Sequence, residues 1–333
     1  MLDAATFSLL TAPRRLVLRV PRLDAARSIT IHDDSIDGVV ARSTEARRAA
    51  CAKAATSRSD EATSSGDDDF ADGELDESSI AVTIHLQTLP VAATIGGKLW
   101  DASLLMSAWL CSPLFDEHLP RGAGPGGGPT RVLELGAGLG AVGFSAAASL
   151  SHAHVTLSDY DPALVENLSA TLRLNPRLRP ESVDVSRIDF RDFAESAKAP
   201  AACGGVYDAL YGSFDVILAA DVVYEQSHCA LANVILAFLA APPATDLADT
   251  RPPPRALLML PDSRPRLREF VDALHASGLH CSIQQLVPTD ETIACLRAAH
   301  EGWGAGGATF SLYVVERAPL LPPCPSPVPP GNL

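Results

Sequence analysis

The sequence predicts an α/β fold: a mostly parallel sheet with helices on both faces and an antiparallel hairpin at the C-terminal end. Three observations carry this expectation. Apolar runs of strand length alternate with helical runs from residue 131 to residue 277, and such alternation implies crossover connections between parallel strands. The first of those strands breaks into glycines at alternate positions, Gly136, Gly138 and Gly140, before a helical run begins. The last two strands, at 280–287 and 308–316, have no clear helix between them, which suggests the hairpin.

The elements follow in order. Residues 14–20 and 28–32 read as short strands, the first through the β-like Leu16-Val-Leu-Arg-Val20. From about 38 to 78 the composition turns to Ala, Ser, Thr and Arg and then to acids, with almost no large apolar side chain. Such a segment cannot bury enough surface to offset its ordering entropy, so a disordered acidic insertion is expected. Order resumes with the alternating strand Ile80-Ala-Val-Thr-Ile-His-Leu86 and a helix at 102–111, followed by a Pro/Gly loop at 120–129. Then come strand 131–135, helix 141–150, strand 154–158, helix 162–174, strands 183–188 and 215–220, helix 228–240, strand 256–260 and helix 265–277. Residues 195–213 and 241–254 read as loop insertions, and six prolines between 322 and 330 predict an extended, unfolded tail. The expected organisation is a β-like extension at 1–37, the acidic insertion at 38–78, one α/β domain at 79–318 and the Pro-rich tail at 319–333.

Bulk properties narrow the classes. The net charge of −14 is uneven, because nine acids between Asp60 and Glu77 form a run with no base among them. No basic stripe is evident, which argues against a protein that tracks nucleic-acid backbones. The seven cysteines are scattered without C-x-x-C pairs, which argues against a zinc site or a disulfide framework and fits a reducing compartment. No apolar run reaches membrane-spanning length and no secretory pattern opens the chain, so a cytoplasmic protein, with the nucleus also open to it, is expected.

The glycine segment carries the chemistry. Residues 131–140 read Arg-Val-Leu-Glu-Leu-Gly-Ala-Gly-Leu-Gly, a buried strand with a single acid, Glu134, ahead of the loop. Glycines at this spacing let the backbone turn sharply and approach a ligand, and the strand–loop–helix order aims free N–H groups into a cleft. A nucleotide-like cofactor is expected. Gly138-Leu-Gly140-Ala-Val-Gly143 also satisfies the GxGxxG dinucleotide pattern, which keeps an NAD-dependent oxidoreductase in view. Glu134 turns the reading toward S-adenosyl-L-methionine: a carboxylate there suits a cationic amino acid moiety and repels a pyrophosphate. The plain alternative for Glu134 is a strand-end carboxylate satisfied by backbone N–H groups. Asp159, at the end of the next strand, is placed to accept from ribose hydroxyls in either cofactor.

Ligands of such sheets bind outside the carboxyl ends of the strands. Four ends therefore converge: Gly136–Gly140, Asp159, Asp189-Phe190 and Ala220-Asp221. In Asp221-Val-Val-Tyr224 the acid and the phenol can both face the cleft. Upstream, Gly96-Gly-Lys-Leu-Trp100-Asp101-Ala102 precedes a helix; Asp101 reads as its N-cap, leaving Trp100 free to pack over the cleft. Trp303, between Gly302 and Gly304, reads as an exposed loop residue that could touch substrate.

With these motifs on the page, the chain resembles the seven-β-strand protein-lysine methyltransferases of the DxxY type, within the nicotinamide-N-methyltransferase-like group. The resemblance runs over about residues 80–317, in motif order and spacing. It implies a class I methyltransferase Rossmann-like fold with a seven-stranded sheet, S-adenosyl-L-methionine as cofactor, and a protein substrate presenting a lysine. It also implies roles. Trp100 would pack near the methionine or adenosine part, Gly136 and Gly138 would line the amino acid end, Asp159 would hold the ribose and Ala220 would touch the cofactor. Asp221 and Tyr224 would form the acceptor channel beside the methyl group. Many members carry Leu-Asp-Trp after the third strand; here Ile188-Asp189-Phe190 leaves Phe190 to stack on adenine with a smaller face and no N–H donor. Trp100, Phe190 and Tyr224 each have a plainer reading as packing residues. No metal is implied. A lysine nucleophile must lose its proton first, and a partly apolar channel beside a sulfonium lowers its pKa from about 10.4. A small-molecule N-methyltransferase has the same core but is expected to carry an N-terminal helical lid, and a non-catalytic nucleotide-binding module would lose the glycines or the ribose acid. Val222 and Val223 depart from the Pro-Pro of nucleic-acid amino-methyltransferases.

Overall fold

The computed structural model describes residues 14–20, 27–31, 82–88, 95–112, 115, 118–119, 128–198, 203, 205–224, 228–242, 252–288, 290–299, 303–304 and 307–318. The acidic insertion expected at 38–78 and the Pro-rich tail expected at 319–333 lie outside them. The strands are β1 (Arg14–Val20), β2 (Arg27–Ile31), β3 (Val82–Thr88), β4 (Thr130–Leu135), β5 (Ala153–Asp159), β6 (Val183–Arg187), β7 (Val216–Ala220), β8 (Arg255–Pro261), β9 (Leu279–Val287) and β10 (Phe310–Arg317). The α-helices are α1 (Asp101–Leu110), α2 (Ala141–Ser149), α3 (Pro162–Leu174), α4 (His228–Phe238), α5 (Leu267–Ala276) and α6 (Asp290–Ala299).

Seven strands run in the order β6-β5-β4-β7-β8-β10-β9. The pairs from β6 to β8 are parallel, and β10 inserts antiparallel between β8 and β9. This is the mostly parallel seven-stranded sheet with a C-terminal hairpin that a class I methyltransferase fold requires. Alternate residues of each strand feed opposite faces, as the period of two dictates. In β7, Val216 and Leu218 join the core under α1, α2 and α3, while Ile217 and Ala219 join the core under α4 and α5. Helices on both faces explain why these strands read as continuous apolar runs rather than alternating ones. The most local signals hold best: α3 starts at Pro162 because Asp161 caps it, its carboxylate accepting from the Ala163 N–H at 2.9 Å.

The N-terminal strands divide. β2 adds an eighth strand to the sheet through antiparallel pairing with β9, and β1 pairs antiparallel with β3 in a sheet of two. The other edge of β3 is bound by side chains of α3 and its C-terminal cap. Asn175 accepts from the His85 N–H at 2.9 Å and donates to its carbonyl at 2.8 Å. Thr171 accepts from the Gln87 N–H at 3.1 Å, and Asn167 donates to the Gln87 carbonyl at 2.8 Å. Three polar residues four apart on one helix face thus replace a neighbouring strand.

Three expectations need correction. A helix, α6, does separate the last two strands. Its apolar stripe amounts to half-buried Ile293 and buried Leu296, too sparse for a periodicity to register. Trp303 is no exposed loop residue: it is 3 % exposed, stacks on Phe310, and donates its indole N–H to the Asp101 carbonyl at 3.1 Å. Asp101 is not the cap of α1 but its first residue; Trp100 takes the cap position and the Asp101 carboxylate accepts from the Gly304 N–H at 3.0 Å. Asp101 therefore ties the start of α1 to the loop before β10, a long-range role that no local pattern announces.

Candidate functional site

The carboxyl ends of β4, β5, β6 and β7 open into one cleft, whose wall includes Trp100, Glu134, Gly136, Gly138, Asp159, Phe190, Ala220, Asp221 and Tyr224. At its deep end, the loop after β4 is fixed by backbone geometry. Gly138 has φ +54°, and a Cβ there would lie 2.8 Å from the Gly96 carbonyl oxygen. The close approach that excludes a side chain is thus to the chain's own turn at Gly96, which roofs the loop. Asp159 buttresses the same loop, its Oδ2 accepting from the Gly138 N–H at 3.0 Å and its Oδ1 from the Asp161 N–H at 3.1 Å.

Glu134 is 2 % exposed and accepts from the Gly143 N–H in the first turn of α2 at 2.8 Å. The backbone partner of the plainer reading is therefore present, while the side chain still reaches the cleft wall. Gly143 serves the close helix–strand packing for which the pattern reserves its third glycine: a Cβ there would collide with Glu134 Oε2 and with Leu157. What α2 packs against at this point includes the carboxylate of an acid, Glu134.

Burial pushes the Glu134 carboxyl up to about 8, the Gly143 bond opposing and neighbouring Asp159 adding to the rise. Burial also raises Asp159, against the pull of its backbone donors. Among the described residues neither acid forms an ion pair with a basic side chain. Two raised carboxyls without a basic partner in one cleft match a cationic ligand, whose charge would favour the ionised form of each. This donor set fits the ammonium and sulfonium of S-adenosyl-L-methionine and disfavours the phosphates of NAD.

On one side of the cleft, Asp189 caps the short 3-10 turn Phe190–Phe193, and Arg191 grips it with Nε and Nη2 at 2.9 and 2.7 Å, holding its carboxyl below the usual range. That cap sets Phe190, half-buried, within 4.0 Å of where a Cβ on Gly136 would stand. Trp100 donates its indole N–H to the Ile95 carbonyl at 3.3 Å, with the Lys98 ammonium 4.6 Å from its ring centre.

The wall after β7, here called the acceptor end, is built differently. Asp221 follows β7 in the left-handed region at φ +57°, with 7 % exposure. Both its oxygens are taken by Arg264, Nε to Oδ1 and Nη2 to Oδ2, each at 2.6 Å. Tyr224 stands at the mouth, 42 % exposed. Val222 lies beneath, its Cγ1 2.9 Å from where a Cβ on Gly136 would sit.

Arg264 is the residue that sequence reasoning missed. A signal existed: it sits just past the carboxyl end of β8, a fifth strand end on the same side of the sheet. Among the described residues no group of three or more His, Cys, Asp or Glu is placed to hold a metal ion, and no helix is long and apolar enough to cross a membrane.

A family model described as lysine methyltransferase matches residues 80–245. The chain is 38% identical over 151 residues to the protein N-lysine methyltransferase METTL21A of Danio rerio, across 44% of this chain and 55% of that protein. It thus spans little more than half the length of that relative. Among solved structures, a geranyl diphosphate methyltransferase in complex with SAM is similar at TM-score 0.41 and 14% identity, over 65% of this chain and 85% of that one. TYW2 of P. horikoshii in complex with MeSAdo is similar at TM-score 0.38 and 15% identity, over 70% of this chain and 67% of that one.

Proposed function

We propose, for a chain that belongs to the lysine methyltransferase family, that the cleft binds S-adenosyl-L-methionine and serves methyl transfer to the side-chain amine of a lysine in a protein substrate. One observation carries the reading: Glu134 and Asp159, without basic partners, line the same cleft as Asp221 and Tyr224, so a cationic donor and an amine acceptor can meet in one space. The bound cofactor supplies an already activated methyl group, so the protein's part is alignment and desolvation. Glu134 holds the amino acid end, Asp159 the ribose, and Phe190 with Trp100 the flat faces of the cleft. Ala220, at the end of β7, keeps the floor free of bulk between the two ends. Tyr224 meets the incoming amine at the mouth, and Asp221 accepts a hydrogen bond from it.

The small-molecule alternative expects a helical lid from the N-terminus. Tyr224 stands exposed at the mouth, which supports a protein acceptor. Calorimetry with S-adenosyl-L-methionine against NAD tests the cofactor. Transfer of radiolabelled methyl groups into a cell lysate, with mass spectrometry of the labelled proteins, tests the acceptor. Label confined to small molecules removes the lysine reading.

A further inference from the structure

Arg264 makes contacts that exceed those of a surface ion pair. Its guanidinium binds both oxygens of Asp221 and lies 5.6 Å from the ring centre of Trp100. It therefore touches the loop after β7 and the residue at the cap position of α1, two segments from distant parts of the chain. Its own base is firm, since its N–H bonds the Pro261 carbonyl at 3.0 Å in the turn that ends β8. Asp221, for its part, holds a left-handed backbone that non-glycine residues keep only where their surroundings determine it. The determinants here are the Arg264 fork and one backbone bond, the Asp221 N–H to the Met259 carbonyl at 3.0 Å.

We infer that Arg264 is a positioning residue for methyl transfer, clamping Asp221 to the Trp100 wall and so fixing the width and the charge balance of the acceptor end. The inference rests on the methyltransferase reading above. The clamp has two consequences. Both fork bonds run side by side, so the carboxylate plane cannot rotate, and its remaining lone pairs point in a set direction. The pairing also balances the charge of Asp221. An unpaired carboxylate at this point would favour the ammonium form of the acceptor and oppose the deprotonation that attack requires. Held by Arg264, Asp221 offers an amine a hydrogen-bond acceptor without that opposing charge. A lysine in place of Arg264 keeps the positive charge but cannot make the fork or reach flat across Trp100.

The test compares the whole chain with Arg264→Gln and Arg264→Lys, reading cofactor affinity by calorimetry, kcat and acceptor KM by methyl transfer, and melting temperature. The expected result is cofactor affinity within about threefold of wild type, and kcat reduced on the order of 10²-fold in both variants, as a small misplacement of reacting groups produces. A melting cycle with Asp221→Asn gives a readout independent of activity: the double variant Asp221→Asn with Arg264→Gln should melt no lower than the weaker single variant, because both remove the same contact. Wild-type kcat in Arg264→Gln, full rescue by Arg264→Lys, or cofactor affinity lost in step with turnover overturns the clamp; additive melting shifts do the same. A wild-type chain that binds the cofactor but labels no protein overturns the underlying lysine reading instead, so the two failures are told apart.

Discussion

The two ends of the cleft hold their acids by opposite means. At the deep end, Glu134 and Asp159 accept from backbone N–H groups of Gly143, Gly138 and Asp161. Backbone donors fix the carboxyls in place but bring no full charge, so the balancing positive charge is left to a ligand. At the acceptor end, Asp221 is held by a guanidinium on both oxygens, and its charge is balanced before any ligand arrives. A carboxylate meant to bind a permanent cation is best left unpaired. One meant to receive an amine that must shed a proton is best neutralised.

The largest effect should come from breaking the deep end. Gly138→Arg forces a side chain onto a left-handed residue against the Gly96 carbonyl and fills the loop's approach to the ligand. Calorimetry should detect no cofactor binding, while far-UV circular dichroism reports a folded sheet. Binding at wild-type strength would remove the glycine loop from the site.

The acceptor end should break in the other sense. Asp221→Asn and Tyr224→Phe should keep cofactor affinity and lose turnover on the order of 10²-fold, if contacts to the reacting nitrogen tighten in the transition state. Lost affinity with intact turnover at saturating cofactor would move both residues into the cofactor pocket.

A pH series sharpens the comparison through Glu134. With its carboxyl pushed up to about 8, the free protein carries that proton at neutral pH. A cationic ligand favours the ionised form, so binding expels the proton. Affinity should rise with pH toward about 8 by at most about tenfold per unit, and Glu134→Gln should flatten the profile. The ligand-free fold should respond with the opposite sign. Between the usual glutamate range and about 8 the folded state holds a proton that the unfolded state has lost, so this group's contribution to stability falls as pH rises. Equal proton release on binding by the wild type and by Glu134→Gln, measured in buffers of different ionisation heat, would refute the assignment.

The smallest effect is expected from the acidic insertion. Deleting residues 40–76, which carry almost no large apolar side chain, should change stability by less than about 0.5 kcal/mol and leave cofactor affinity as it was. Loss of folded protein would show that the segment supplies core.

What was legible in the sequence was whatever is encoded within one turn or one strand. The Gly136–Gly140 loop, Asp159 at a strand end and the Asp161-Pro162 start of α3 are local signals, and the structure places them at strand ends and a helix start as read. Residues whose meaning depends on distant partners were not legible. Arg264 acquires its role from Asp221, 43 positions away, and Trp303 from Asp101, 202 positions away. Gly143 lies between the two: the pattern was legible, but that Glu134 is what the helix packs against is visible only across the strand–helix contact.

The polar ladder between α3 and β3 bears on how this chain can change. A slip of β3 by one residue would leave the buried amides of Asn167 and Asn175 without their backbone partners, at about 1–3 kcal/mol for each lost bond. The register of the strand is therefore keyed by the helix it lies on, not by the chain that leads into it. Fifty residues separate Ile31 from Val82, and the cost of closing such a connection grows only with the logarithm of its length. Insertions and losses between β2 and β3 can thus accumulate without shifting β3 along α3, the helix that leaves the cleft three residues after Asp159.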